Sequence, residues 1–320
     1  MNGPAGGCGP RYARGGLRAD HEGRVPASVA GPRRQIVGLR PAEAYASNVH
    51  HDRVRAHYDL ASPHYRALWG VHIHHGYWET GDESKERAQE KLVELLARTA
   101  EVRPGMRVLD VGCGIGGSCV QLTRDRGAQV TGITLSPVQA AMARELAAER
   151  RVAIEVRVMD AHAMTFRAEG APPFDRIWSI EALSHLSDQH AFFLEVPRLL
   201  APDGRVAVID WFEAEDLSAE RRARYVDPIR RGMLTPNMTT MGRYVAHLEE
   251  AGLRVTVRED LSERVRRTWD LTVEMLRDRS LWALALAHGP EFVAFLRAFR
   301  AMRRGYASGA LRYGMLIAER

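Results

Sequence analysis

Residues 107–117 read RVLDVGCGIGG. Val108 and Leu109 open an apolar run suited to a buried strand. Asp110 interrupts it, and Gly112, Gly114, Gly116 and Gly117 lead into a segment with helical character. Strand, glycine turn and helix, in that order, are how a doubly wound α/β sheet presents a nucleotide-like ligand. Glycine is required where the turn visits positive φ and where a ligand must approach bare backbone. The glycines alone are ambiguous, because Gly112, Gly114 and Gly117 also satisfy the GxGxxG pattern of dinucleotide sites. Asp110 separates the two readings. A carboxylate just before the turn repels a pyrophosphate but suits a ligand that carries an ammonium or sulfonium group.

Working outward, residues 85–100 place Leu92, Leu95, Leu96 and Ala100 at helical spacing, and Pro104-Gly105 turns the chain into the first strand. Downstream, AQVTGITLS predicts a second strand ending at Thr134, and AIEVRVMDA a third ending at Asp160. FDRIWSIEAL predicts a fourth with Glu181 just past its end, and GRVAVIDWF a fifth running out near Trp211. Helical segments over 137–150 and 189–200 alternate with them. Further helices are predicted over 218–231, 240–251 and most of 267–304, with strands over 254–260 and 313–320. The pattern is α/β: a doubly wound, mostly parallel seven-stranded sheet with a helical lid. Chemistry in such sheets gathers at the strand C-termini, so Asp110, Thr134, Asp160, Glu181 and Trp211 are expected on one rim.

The 320 residues and 45% hydrophobic content allow one large domain with a lid. Residues 1–40 hold seven arginines against Asp20 and Glu22, which accounts for the whole net charge of +5. That stretch is rich in Gly, Pro and Arg and is expected to be a disordered basic tail. The remainder is electrically balanced, which argues against a nucleic-acid surface. Residues 41–320 then form the folded domain, with an N-terminal lid arm over 41–83 and a cap insertion over 213–252. The three cysteines (Cys8, Cys113 and Cys119) show neither ligand spacing nor an even disulfide framework, so a reducing, cytoplasmic setting is expected. No apolar run suggests stable membrane insertion. A homo-oligomer is left open.

The arm concentrates aromatics: Tyr58, Tyr65, Trp69, Tyr77 and Trp78. Packing of a helical arm explains some of them. A pocket for an apolar or cationic group is the reading preferred for Tyr58, Tyr77 and Trp78. His72, His74 and His75 invite a metal, but no second ligand cluster accompanies them. Hydrogen bonding around a turn is preferred, and no metal is expected. Arg221, Arg222, Arg224, Arg230 and Arg231 in the cap suit a diphosphate clamp less well than a solvated helix face.

VLDVGCGIGG, GITLSPVQ, MDA and FDRIWSIEALSHLSD together resemble the successive motifs of class I S-adenosylmethionine (SAM)-dependent methyltransferases. Closer in, YDLASPHYRALWGVHIHHGYW and MRRGYASGALRYGMLIAER are similar to the tocopherol methyltransferase-like enzymes. SIEALSH resembles the corresponding stretch of sterol C-methyltransferases. The resemblance implies a Rossmann-like methyltransferase fold and SAM as cofactor. Gly112, Gly114 and Gly116 would wrap the methionine moiety, with Asp110 near its amino group. Asp160 and Ala161 would hold the adenine. The acidic residue that commonly ends the second strand is replaced here by Thr134, followed by Leu135, a form shared with the tocopherol-like and sterol-like groups. Gln139 is the substitute candidate at the ribose, and Tyr58 matches an arm tyrosine that closes over the cofactor.

The acceptor implied is a small, largely apolar molecule, and C-methylation of an isoprenoid or phenolic/quinol compound in specialised metabolism leads. O- or N-methylation of a natural product is the alternative. A non-catalytic SAM-binding protein and a nicotinamide-dependent oxidoreductase are more distant, the latter disfavoured by Asp110 and Thr134. Glu181 and His185 are the candidate base or cation stabiliser, four residues apart where strand becomes helix. Helix capping by Glu181 and sheet packing by His185 compete with that role. Tyr77, Trp78 and Trp211 are the candidate walls of the acceptor pocket, and Trp178, Trp269 and Tyr313 are equally suited to the core.

Overall fold

The computed structural model describes residues 41–320, so the expected basic tail lies outside the described residues. The chain enters through helix α1 (Pro41–Leu68) and α2 (Lys85–Thr99), then alternates strand and helix. The series runs β1 (Arg107–Val111), α3 (Gly117–Arg126), β2 (Gln129–Thr134), α4 (Pro137–Arg150), β3 (Glu155–Val158) and β4 (Phe174–Ile180). It continues through α5 (Gln189–Leu199), β5 (Leu200–Glu213), α6 (Ala219–Tyr225), α7 (Asp227–Gly232), α8 (Met241–Glu250) and β6 (Arg254–Asp260). The last elements are α9 (Ser262–Val265), α10 (Arg267–Met275), α11 (Arg279–Ala287), α12 (Pro290–Ala307) and β7 (Leu311–Glu319).

The seven strands form one sheet in the order β3-β2-β1-β4-β5-β7-β6, parallel except for β7, which runs antiparallel to both neighbours. Both faces are covered, and for this reason the strands read as near-continuous apolar runs rather than alternating ones. Ala207 and Ile209 of β5 face the layer built on α2, α3 and α4, whereas Val206 and Val208 face the layer of α5 and α8. The strand order reverses between β1 and β4, which opens a crevice beyond their carboxyl ends. Asp110 and Glu181 stand at that crevice.

The helix boundaries follow local chemistry. Ser84 caps α2, Ser136 with Pro137 starts α4, and Asp188 caps α5 by accepting from the Ala191 amide. The segment 213–252 divides. α6 and α7 pack beside α12, while α8 lies on the sheet, where buried Tyr244 and Leu248 join the α5 layer. The single helix read over 218–231 is broken at Val226, just before the Asp227-Pro228 start of α7. Much of the cap comes instead from 262–307, whose apolar residues Trp269, Leu281, Phe295 and Phe299 join one core with Val226 and Ile229. Among the described residues, no helix is long and apolar enough to cross a membrane.

Candidate active site

One large cavity lies over the β1–β4 crevice, between the sheet rim, α1 and the cap helices α10, α11 and α12. Its wall includes Asp110, Gly112, Gly114, Thr134, Leu135, Gln139, Asp160, Ala161, Glu181, His185, Trp211 and Tyr58. The expected rim is therefore brought together. Gly116, Tyr77 and Trp78 are not among the residues lining it. Gly116 begins α3 at φ 85°, and a Cβ there would come within 2.7 Å of the Ala143 Cβ, so its smallness serves packing on α4. The Tyr77 amide donates to Ala88 O, and Trp78, 5% exposed, donates from Nε1 to Glu83 O. The Tyr77 and Trp78 backbone amides tie the arm to α2 and, through Arg264 O, to α9, and neither residue lines this cavity.

At the first turn, the Gly112 and Cys113 amides both donate to Ile133 O, which bends the chain sharply out of β1. Gly112 and Gly114 sit at φ 75° and 55°. A Cβ at Gly112 would collide with the Ala182 Cβ, whereas one at Gly114 would point into space with only Ile73 at 3.8 Å. Gly112→Ala is expected to destabilise the fold by about 1–3 kcal/mol through backbone strain alone, with the clash in addition. Thermal melting checks this, and a variant that melts with the wild type contradicts it.

Asp110 is buried, and its only side-chain partner among the described residues is the Cys119 thiol, at 3.2 Å. Burial pushes its pKa up to about 7, against a small lowering by Cys119. A buried carboxylate with one weak donor is a receptor for a cation. At the next rim position, Thr134 Oγ1 donates to Gln139 Oε1 at 2.7 Å, and both residues line the cavity. Asp160 lies just past β3. Its Oδ1 accepts from the His162 amide and pairs with His162 Nδ1, and its Oδ2 pairs with His51 Nδ1 at 3.1 Å. Burial would raise its pKa, but these donors hold it well below the usual carboxylate range. One lone pair of Oδ2 remains for a further donor.

Beyond β4 the chain turns through Glu181, held at φ 55°, a region few non-glycine residues occupy. Its Oε1 accepts from the His75 amide at 2.7 Å, from His75 Nδ1 at 2.8 Å and from Tyr313 OH at 2.5 Å. Its Oε2 has no hydrogen bond among the described residues. Burial would raise the Glu181 pKa, yet the His75 and Tyr313 interactions hold it low, so a negative charge is fixed at the rim. His75 in turn accepts at Nε2 from Trp269 Nε1 at 2.6 Å. That bond fixes the tautomer in which Nδ1–H serves Glu181.

His185 follows four residues later in a tight 3-10 turn. Its Nδ1 lies 2.9 Å from Leu234 O, which can only accept, so Nδ1 carries the proton. Its Nε2 lies 2.9 Å from Tyr58 OH. Burial pushes the His185 pKa down to about 4, and the Tyr58 phenol is held firmly protonated by burial and the charges of Glu181 and Asp210. His185 is thus a neutral imidazole at the cavity wall whose Nε2 lone pair accepts from the Tyr58 hydroxyl.

Sequence reasoning missed His75, whose neighbours do form the expected turn: His74 Nδ1 bonds His75 O, and Gln89 Nε2 donates to His72 O and His74 O. The HIHHGYW run was the available signal. Leu234, at φ 55°, gave none. Tyr313 and Trp269 serve Glu181 and His75 through hydrogen bonds, and Trp178 is fully buried core. Arg222 and Arg230 both pair with Glu213, and none of the five cap arginines lines the cavity. The distant half of the cavity is apolar, walled by Trp69, Met275, Phe292, Phe295 and Phe299.

The family model described as mycolic acid cyclopropane synthetase matches residues 46–306. The chain belongs to that family. It is a SAM-dependent methyltransferase of small molecules. It is 31% identical over 245 residues to 27-O-demethylrifamycin SV methyltransferase of Amycolatopsis mediterranei, covering 76% of this chain and 89% of that one. It is 30% identical over 281 residues to the chloroplastic tocopherol O-methyltransferase of Arabidopsis thaliana, covering 82% and 80% respectively. Among solved structures it is similar to the [4+2]-cyclase SpnF, with a TM-score of 0.73, 28% identity, and coverage of 84% of this chain and 96% of that chain. The family's cofactor fits the residues present: Asp110 lacks a cation, and Gly114 leaves a cradle that a side chain would fill.

Proposed function

We propose that the chain methylates a hydroxyl oxygen of a small, largely apolar acceptor, a phenol, quinol or related natural product of specialised metabolism, with His185 as general base. The observation that carries this reading is the His185 tautomer: Nδ1–H is tied to Leu234 O and Nε2 is unprotonated beside Tyr58. An acceptor hydroxyl that displaces the Tyr58 O–H meets an unprotonated nitrogen. The proton moves to Nε2 as the oxygen is methylated, and the imidazolium so formed is favoured by the nearby Glu181 charge.

SAM supplies a methyl group already activated on a sulfonium. The protein's own work is to bind, align and exclude water, which is worth about 7–11 kcal/mol when reacting atoms are held in line. Asp110 would face the α-ammonium, Gly112 and Gly114 would offer bare backbone to the methionine moiety, and Thr134, Leu135 and Gln139 would border the ribose. Asp160 would accept from the adenine amine with its remaining lone pair, beside Ala161. Tyr58 and the α1 arm would close over the whole. The acceptor would lie against Trp211 and the apolar wall of α10–α12. Both relatives named above carry oxygen methylation in their names, which supports oxygen as the target. The cytoplasmic setting stays an inference from cysteine usage.

The unprotonated Nε2 of His185 supports a reading that prefers oxygen to carbon, reversing the order drawn from sequence. Carbon methylation of an alkene remains the second reading because Glu181 is held in its charged form with Oε2 unbonded, in a cavity that Trp211 and Trp269 also line. At an effective dielectric near 20, a carboxylate ~4 Å from a cation contributes on the order of 4 kcal/mol. Glu181→Gln is expected to reduce turnover while leaving SAM affinity nearly unchanged. For oxygen the loss stays smaller than in a His185 variant, and for carbon it exceeds it. Steady-state kinetics on both variants decides, and full activity in Glu181→Gln removes Glu181 from the chemistry.

A further inference from the structure

We propose that His190, His247 and Glu250 form a site for a divalent transition-metal ion of the zinc class, on the face of the domain where α5 packs on α8. His190 is the second residue of α5, and His247 and Glu250 lie one turn apart near the end of α8. Glu250 Oε2 is 3.0 Å from His190 Nε2 and 3.6 Å from His247 Nδ1, and the three donor atoms all lie within 4.8 Å of one another. A tetrahedral ion with bonds of ~2.0–2.2 Å holds its donors roughly 3.3 Å apart, and the 3.0 and 3.6 Å separations from Glu250 Oε2 lie close to that. Two imidazoles and one carboxylate suit zinc, nickel or copper better than magnesium or calcium.

An orphaned atom points to the ligand. His247 is 5% exposed, and its Nδ1 is buried with no hydrogen-bond partner while it faces Glu250 Oε2. Buried polar atoms are nearly always satisfied, and a metal ion is the group that would satisfy this one. His190 and Glu250, with side chains 46% and 49% exposed, leave an entry path and room for water to complete the coordination. The other histidine–carboxylate set, His51, Asp160 and His162, contrasts with it. There both nitrogens of His51 are bonded, to Asp160 and Ser187 Oγ, and both of His162, to Asp160 and the Asp188 amide. That set needs no ion.

The position has a consequence for the fold. α5 begins just after the turn that carries His185, and α8 follows the loop that carries Leu234. The two segments already meet, since Asn237 Nδ2 donates to Leu186 O and Ser187 O. An ion between His190 and His247 ties both segments from outside the cavity.

The test uses the full chain without a histidine tag, stripped with chelator, then titrated with ZnCl₂ by calorimetry and with CoCl₂ by visible absorption. One equivalent of Zn²⁺ is expected, with a raised melting temperature and the intense visible bands of low-coordinate cobalt. His190→Ala and Glu250→Gln, both at exposed positions, are expected to weaken binding about tenfold or more. His51→Ala is expected to leave it unchanged. No stoichiometric binding, binding undiminished by His190→Ala and Glu250→Gln, or loss only in His51→Ala overturns the proposal.

Discussion

His185→Gln is expected to lower turnover by about two to four orders of magnitude, the range for loss of a positioned general base. The affinity for SAM should change little, because His185 is not among the residues assigned to hold the cofactor. Glutamine keeps a donor for Leu234 O and much of the volume but offers no basic nitrogen, so the loss reports proton transfer rather than packing. The pH profile gives a second signature. Burial holds His185 near pKa 4 instead of its ordinary 6.5, so the base is already unprotonated at neutral pH. The acid limb of kcat/KM is therefore expected well below pH 6.5. The same depression acts on stability with a definite sign. Above pH 6.5 the imidazole is neutral in both folded and unfolded chains, and nothing is gained or lost. Between about pH 6.5 and 4 the unfolded chain takes up protons that the folded chain refuses, so stability falls as pH falls. His72, His57 and His74, also depressed by burial, add to that trend. Circular dichroism across the same range separates the acid limb of catalysis from unfolding.

Asp110→Asn is expected to weaken SAM binding by about 10–100-fold, the worth of a hydrogen bond to a charged group. The wild-type affinity should also depend on pH in a way the variant's does not. Burial raises Asp110 to about 7, so near neutrality a good part of the free protein carries a proton there. A bound α-ammonium favours the ionised carboxylate and pulls that pKa down. Binding then releases a proton, and affinity rises as pH rises through about 7. Titration calorimetry in buffers of different ionisation enthalpy measures the released proton directly. Binding without proton release at pH 7, or an unchanged affinity in Asp110→Asn, contradicts the assignment.

Much of this arrangement was legible because it follows from backbone rules. The order of apolar runs, glycine turn and periodic helices specified a doubly wound sheet. The switch-point rule then placed Asp110, Thr134, Asp160, Glu181 and Trp211 on one wall, where the structure has them. What escaped depends on contacts between residues far apart in sequence. Tyr77 and Trp78 carry the same aromatic signal whether they line a pocket or pin an arm, and only the partners Ala88, Glu83 and Arg264 decide. Glu181 and His185 were visible as candidates. Their states were not, because they depend on His75, 106 residues before Glu181, and on the Leu234 carbonyl, 49 residues after His185. The cap was misplaced for a related reason: the helices over 267–307 are ordinary in composition, and their role appears only when β7 returns the chain to the sheet between β5 and β6.

On the function proposed above, this methyltransferase delivers its methyl group to oxygen through His185. The most direct measurement supplies trideuteromethyl-SAM with a panel of phenols, quinols, hydroxylated polyketides and prenyl diphosphates. Mass spectrometry and heteronuclear NMR then locate the label in the product. The predicted result is an O–CD₃ ether formed by the wild type and almost none by His185→Gln. A label on carbon, or an ether formed equally well without His185, would contradict oxygen methylation through His185.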